Sequence, residues 1–121
     1  MTLDSRDAGA AIDFSIALAH VENDLQLLAE LAALFVQDYP RLIQEARNAI
    51  ALNDYAELER AAHTLKGRLA FFGINRLRER ALELETMGRM RDLSRAKEAC
   101  AVLEAEMERI LPEVESLTKE I

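Results

Sequence analysis

Apolar residues recur at steps of three and four along most of the chain, and the cleanest series lies at its C-terminal end. Leu93, Ala96, Cys100, Leu103, Met107, Ile110, Val114, Leu117 and Ile121 share one face of a helix with 3.6 residues per turn. Pro112 falls off that stripe, so this helix is expected to bend on its solvent side and keep its core face. A second series runs through Leu28, Leu31, Phe35, Tyr39, Leu42, Ala46 and Ala49, flanked by Leu25, Ala32, Val36, Ile43 and Ile50. Together they cover roughly 140° of a helix, a width that predicts a central helix with more than one packing partner. Pro40 lies inside it and predicts a kink or a local loss of hydrogen bonding.

Punctuation between the series sets the remaining elements. A short helix is predicted from about Asp13 to Val21, after which Asn23 and Gln26 resemble a capping box for the long helix. Asn53-Asp54 breaks the pattern and offers a cap to a third helix reaching Phe72, with Gly73 as its left-handed C-terminal residue. Asn75 is expected to cap a fourth, which buries Leu77, Ala81, Leu84 and Met87 and ends near Gly88. Residues 1–11, polar and then Gly/Ala-rich, read as a flexible leader, and 12–121 as one domain. Four amphipathic helices with short connections pack as antiparallel neighbours. The expected fold is all-α, an up-down four-helix bundle with a short additional N-terminal helix.

Composition narrows the function. Four Gly, two Pro, no Trp and 5% aromatic residues suit helices. Fifteen basic against twenty-two acidic side chains give a net charge of −7, the wrong sign for a binder of nucleic-acid backbones. Cys100 is the single cysteine, which excludes an intrachain disulfide and argues against a cysteine metal cage. Met1 to Asp7 lacks the basic-then-apolar order of a secretory signal. The longest apolar run, Leu31 to Val36, is too short to cross a bilayer. The expectation is a cytoplasmic chain without membrane insertion, and a monomer, since the bundle itself uses the long C-terminal stripe.

One residue of the third helix points the wrong way for a core. Leu58, Ala61, Ala62, Leu65, Leu69 and Phe72 cluster within roughly 100° of a helical wheel, and His63 lies about 140° from their centre. Its neighbours on that face are Glu59, Arg60, Lys66, Gly67 and Ala70. Gly67 occupies a helix interior at a cost of about 1 kcal/mol relative to Ala, and Ala70 lies a turn beyond. The pattern describes a solvent-facing nucleophile with a cation, Lys66, one turn away and cleared ground beside it. Each residue alone reads as an ordinary surface or packing residue. Together, without a serine or cysteine partner, they suit group transfer to and from another protein.

Ala61-Ala62-His63-Thr64-Leu65-Lys66-Gly67, then Phe72-Gly73 and Leu84-Glu85, resembles the histidine phosphotransfer (HPt) domains of bacterial two-component phosphorelays. The match is specific from Ala62 to Gly73 and weaker over about residues 12–110. The resemblance implies a bundle with one phosphorylatable histidine, His63. It would take a phosphoryl group from an aspartyl phosphate on one response-regulator receiver domain and pass it to another. It also implies Lys66 as the cation that stabilises the phosphoryl group, and Gly67 as clearance for the receiver. The chain would have no cofactor or metal of its own, because magnesium belongs to the receiver. It would be an intermediate without turnover chemistry, part of or partner to a sensor histidine kinase. Phosphoryl transfer needs mostly positioning and charge stabilisation, and a neutral imidazole nitrogen is a good nucleophile near pH 7.

Further roles follow from position. Glu59, one turn before His63, is a candidate to accept a hydrogen bond and orient the ring, and Arg60, Ala70 and Phe71 are candidates for docking. Arg68 departs from the small residues usual after the Lys-Gly pair. It falls at the edge of the core, positioned to pair with an acid on a neighbouring helix or to alter which receiver docks. His20 reads as a helix-terminal surface residue and Cys100 as a small buried one. Two other functions fit the pattern: the phosphoacceptor domain of a chemotaxis-type histidine kinase, and a non-catalytic helical adaptor. A metal-binding bundle is set aside because the core stripes are almost purely apolar.

Overall fold

The computed structural model describes residues 12–120. Among them are five α-helices: α1 (Phe14–His20), α2 (Leu25–Ala51), α3 (Tyr55–Phe71), α4 (Asn75–Arg89) and α5 (Ala96–Leu117), followed by a 3₁₀ turn, Thr118–Glu120. Each long helix packs on its neighbour in sequence, and α5 returns to α2, so the four close into a ring. Ion pairs across the seams fix the antiparallel sense: Glu45 meets Arg60 and Asp38 meets Arg68 between α2 and α3. This is the up-down four-helix bundle that the apolar periodicity predicts, with α1 laid across α2 and α3.

The predicted stripes supply most of the core, with Leu25 an exception that stands exposed at the start of α2. Leu28, Phe35, Leu42, Leu58, Leu65, Leu69, Leu77, Leu84, Leu103 and Met107 are almost fully buried. Cys100 joins them, and burial pushes its thiol up to about 11, which leaves it a packing residue. Two charges also enter the interior, Glu85 and Glu106. Glu106 is held between α4 and α5 by Arg80, at 3.1 and 3.2 Å, and by Arg76 at 3.5 Å.

Helix ends differ from the sequence expectation in instructive ways. Asp24, not Asn23, caps α2: its carboxylate accepts from the Leu27 amide at 3.0 Å. Asn23 instead takes a left-handed conformation, φ 66°, which Asn tolerates better than most residues. Asn75 is the first residue of α4, and Ile74 fills the cap position without a side-chain bond. Neither proline breaks its helix; Pro40 and Pro112 stand exposed within continuous α2 and α5.

Gly73 ends α3 as predicted, at φ 70°. Its amide bonds back to Ala70 and that of Ile74 to Leu69, at 3.0 and 2.9 Å, the reciprocal pair of a Schellman turn. Its carbonyl accepts from Asp13 N at 3.1 Å, which ties the start of α1 to the end of α3. The same turn ends α4 with Arg91 in the left-handed position, φ 57°, its guanidinium 4.5 Å from the Tyr55 ring centroid.

Candidate functional site

His63 sits midway along α3 with two-thirds of its side chain exposed, at 67%. Lys66 and Gly67 follow at one helical turn, so i, i+3 and i+4 share a face for local reasons alone. What organises them comes from another helix. Glu85 of α4 is buried, and its two oxygens divide between the site's cationic and imidazole groups. Oε2 lies 3.0 Å from His63 Nδ1, and Oε1 lies 2.7 Å from Lys66 Nζ. Arg89, one turn on, stands 3.9 Å from Oε2 and 3.8 Å from Glu59.

The protonation pattern follows from donor chemistry. Burial pushes the Glu85 carboxyl up, but hydrogen bonds from Lys66 and His63 outweigh it and hold the group below its ordinary range. An ionised carboxylate only accepts, so Nδ1 carries the proton. The lone pair of the neutral ring is then on Nε2.

Gly88 is the reason Glu85 can reach. A Cβ at this position would lie 2.8 Å from both Glu59 N and Tyr55 O. The missing side chain therefore lets α4 approach the backbone of α3, one turn from Glu85. Gly67 is the opposite case: a Cβ there would meet nothing within 4 Å. The bare ground beside His63 is thus open space.

The other candidates are distributed around this centre. Glu59 does not orient the ring; it is drawn toward Arg89, and the bond that orients His63 comes from Glu85 across the α3–α4 seam. Arg60 turns to Glu57 and Glu45, and lines a shallow hollow with Glu59, His63 and Glu85. Ala70 is half-buried. Phe71 stacks on His20, ring centroids 4.9 Å apart, and its carbonyl accepts from His20 Nδ1 at 2.9 Å. Phe71 also walls a larger groove of about 660 Å³ between α2 and α3, whose lining includes Leu31, Leu34, Phe35, His63, Gly67 and Arg68. Arg68 pairs with Asp38 on α2. Glu83 and Glu85 both flank Leu84 of the apolar stripe, and nothing along the chain separates the one that turns inward from the one that does not.

The low position of Glu85 has a consequence for stability. A carboxyl that binds protons more weakly when folded contributes stability above its unfolded value and loses it as pH falls through the folded one. Wild type is expected to melt above Glu85→Gln at neutral pH, with the gap narrowing below about pH 4.5, the unperturbed value. Melting curves of both chains across this range check it; a gap that stays constant with pH would refute the ion-pair account.

A helical bundle that presents one histidine, backed by a buried carboxylate and flanked by a lysine and a glycine, defines a class of group-transfer domain. The family model of the Hpt domain matches residues 30–113, and the chain belongs to that family, the histidine phosphotransfer carriers of phosphorelays. It is similar to the crystal structure of histidine-containing phosphotransfer protein B from Pseudomonas aeruginosa PAO1. The TM-score is 0.75 at 25% identity, over 90% of this chain and 91% of that one. The HPT domain of a sensor hybrid histidine kinase from Shewanella has the same fold, with a TM-score of 0.77 at 15% identity, covering 93% and 97%. No curated protein sequence matches the chain. No helix among the described residues is long and apolar enough to cross a membrane.

Proposed function

We propose that His63 is the phosphoacceptor of this carrier and exchanges phosphoryl groups with the aspartates of receiver domains. The observation that supports it most is the solvent-facing imidazole held at Nδ1 by buried Glu85. Nε2 attacks the phosphorus of an aspartyl phosphate in line. The N–P bond forms as the acyl P–O bond breaks, and the electron pair returns to the receiver's carboxylate. The ring keeps its Nδ1 proton and becomes cationic, a charge that Glu85 stabilises from 3.0 Å. The phosphoryl group arrives carrying negative charge, and Lys66 can swing from Glu85 to meet it. Gly67 leaves room for the receiver's backbone. The reverse step delivers the group to a second receiver.

The chain supplies a positioned nucleophile and a cation, and the magnesium of the reaction is the receiver's. The reading places the chain in the cytoplasm as a monomer, working with receivers and a sensor histidine kinase. The test is to mix the chain with receiver domains carrying labelled aspartyl phosphate. Label that moves to the chain, survives base, is lost in acid and maps to His63 supports the reading. Label that arrives only from a kinase with ATP would place the chain at the kinase end of the pathway, and none from any receiver or kinase would return it to an adaptor role.

A further inference from the structure

The residue after Gly67 takes no part in the transfer step, yet it occupies the groove beside the nucleophile. Arg68 Nη1 donates to Asp38 Oδ2 at 2.7 Å. Asp38 also accepts from Arg41, at 2.8 Å, and Arg41 reaches Glu45 at 2.7 Å. Glu45 in turn accepts from Arg60 at 2.8 Å, and Arg60 bonds to Glu57. An alternating series of charges therefore runs along the α2–α3 seam past His63.

The series is neutral in sum but not in what it shows to a partner. The Arg68 side chain is 42% exposed against 26% for Asp38, and that of Arg60 52% against 29% for Glu45. Guanidiniums stand outward and carboxylates inward. Around His63 the bases Arg41, Arg60, Lys66, Arg68 and Arg89 offset the acids Asp38, Glu45, Glu57, Glu59 and Glu85, so the net charge of −7 lies elsewhere on the chain. Among the described residues, Arg68 gives only Nη1 to a side-chain partner. A guanidinium carries five donors in a fork that fits a carboxylate, and the rest of this fork is available at the edge of an apolar groove.

We propose that Arg68, backed by Arg41 and Arg60, is the specificity-determining residue of this carrier. It selects receiver domains that set an aspartate or glutamate against the groove when their phosphorylation site meets His63. The inference rests on His63 as the phosphoacceptor. Apolar contact in the groove is open to many receivers, whereas a carboxylate meeting Arg68 is favoured and a lysine is repelled, so charge decides between partners of similar shape.

The experiment loads His63 with phosphoramidate, a small donor that needs no docking surface, in wild type, Arg68→Gln and Arg68→Glu. Loaded chains are then offered purified receiver domains of the source organism, at about 0.01 M and about 0.15 M salt. Equal loading shows that the site is intact. Arg68→Glu is expected to slow transfer to the preferred receiver by about tenfold or more, to flatten its salt dependence, and to recover when the facing receiver carboxylate is changed to Lys. Should Arg68→Glu melt below wild type through repulsion from Asp38, Arg68→Gln, which keeps a donor toward Asp38, carries the comparison with a smaller loss. Unchanged receiver order and salt dependence in both loaded variants would overturn the proposal while leaving the carrier reading intact. A loaded wild type that no receiver can discharge would overturn both.

Discussion

Replacing His63 by Gln abolishes phosphate uptake from receivers and leaves the bundle folded. The imidazole is 67% exposed, so its removal uncovers little apolar surface, and surface changes of this kind shift stability by about 0.5 kcal/mol. The Gln amide can still donate toward Glu85, which keeps the buried carboxylate partnered and avoids the penalty of an orphaned charge. What disappears is the nucleophilic nitrogen, for which an amide offers no substitute. Phosphotransfer from a labelled receiver, beside thermal melts, checks both halves. Acid-labile label surviving in the variant would move the site to His20, the chain's other histidine, whose ring is stacked on Phe71.

The two helical glycines flanking the site are expected to respond to the same substitution with opposite signs in stability. At Gly67 a methyl enters open space, and Ala in a helix interior is better than Gly by about 1 kcal/mol. Gly67→Ala therefore melts a few degrees higher, yet transfers more slowly, by roughly 10- to 100-fold, because the methyl stands between His63 and the receiver and misplaces the reacting atoms. At Gly88 the methyl meets backbone N and O of α3 at 2.8 Å, which no side-chain rotation can relieve. Overpacking of this kind costs about 1–3 kcal/mol, more than the gain in helix propensity. Gly88→Ala thus melts lower, and transfer falls as well, because α4 is pushed off α3 and Glu85 leaves Nδ1. Melting temperature and transfer rate measured on both variants decide the matter. A Gly88→Ala chain with the parent's melting temperature would mean that the helices are not held at this distance.

The contrast between these glycines shows where sequence reasoning reached and where it stopped. Gly67 was legible because its oddity is local: a glycine inside a helix, one turn after a histidine on the outer face. Gly88 looks like a helix terminus in the sequence, yet it is the close-approach point of two helices, a property that exists only once they pack. The role of Glu85 is hidden for the same reason, since both of its partners lie on α3. Glu59 looked like the ring's partner because it lies one turn from His63, but the neighbouring helix brings Arg89 to it and supplies the ring with a different carboxylate. The pairing of Arg68 with an acid on another helix was anticipated in kind, whereas its partner, thirty residues away on α2, was not.

Everything governed by the period of a single helix is written in the order of residues along the chain. The apolar stripes, their breaks at Asn53-Asp54 and Gly73, and the common outward face of His63, Lys66 and Gly67 follow from 3.6 residues per turn and from which side chains water excludes. Which nitrogen of His63 is free, which carboxylate holds it, and which charges rim the groove are set by packing. Those depend on the rotation and separation of α2, α3 and α4 against one another. Contacts between helices, close packing and the space left by Gly88 set that geometry, and no periodicity along one strand of chain encodes it.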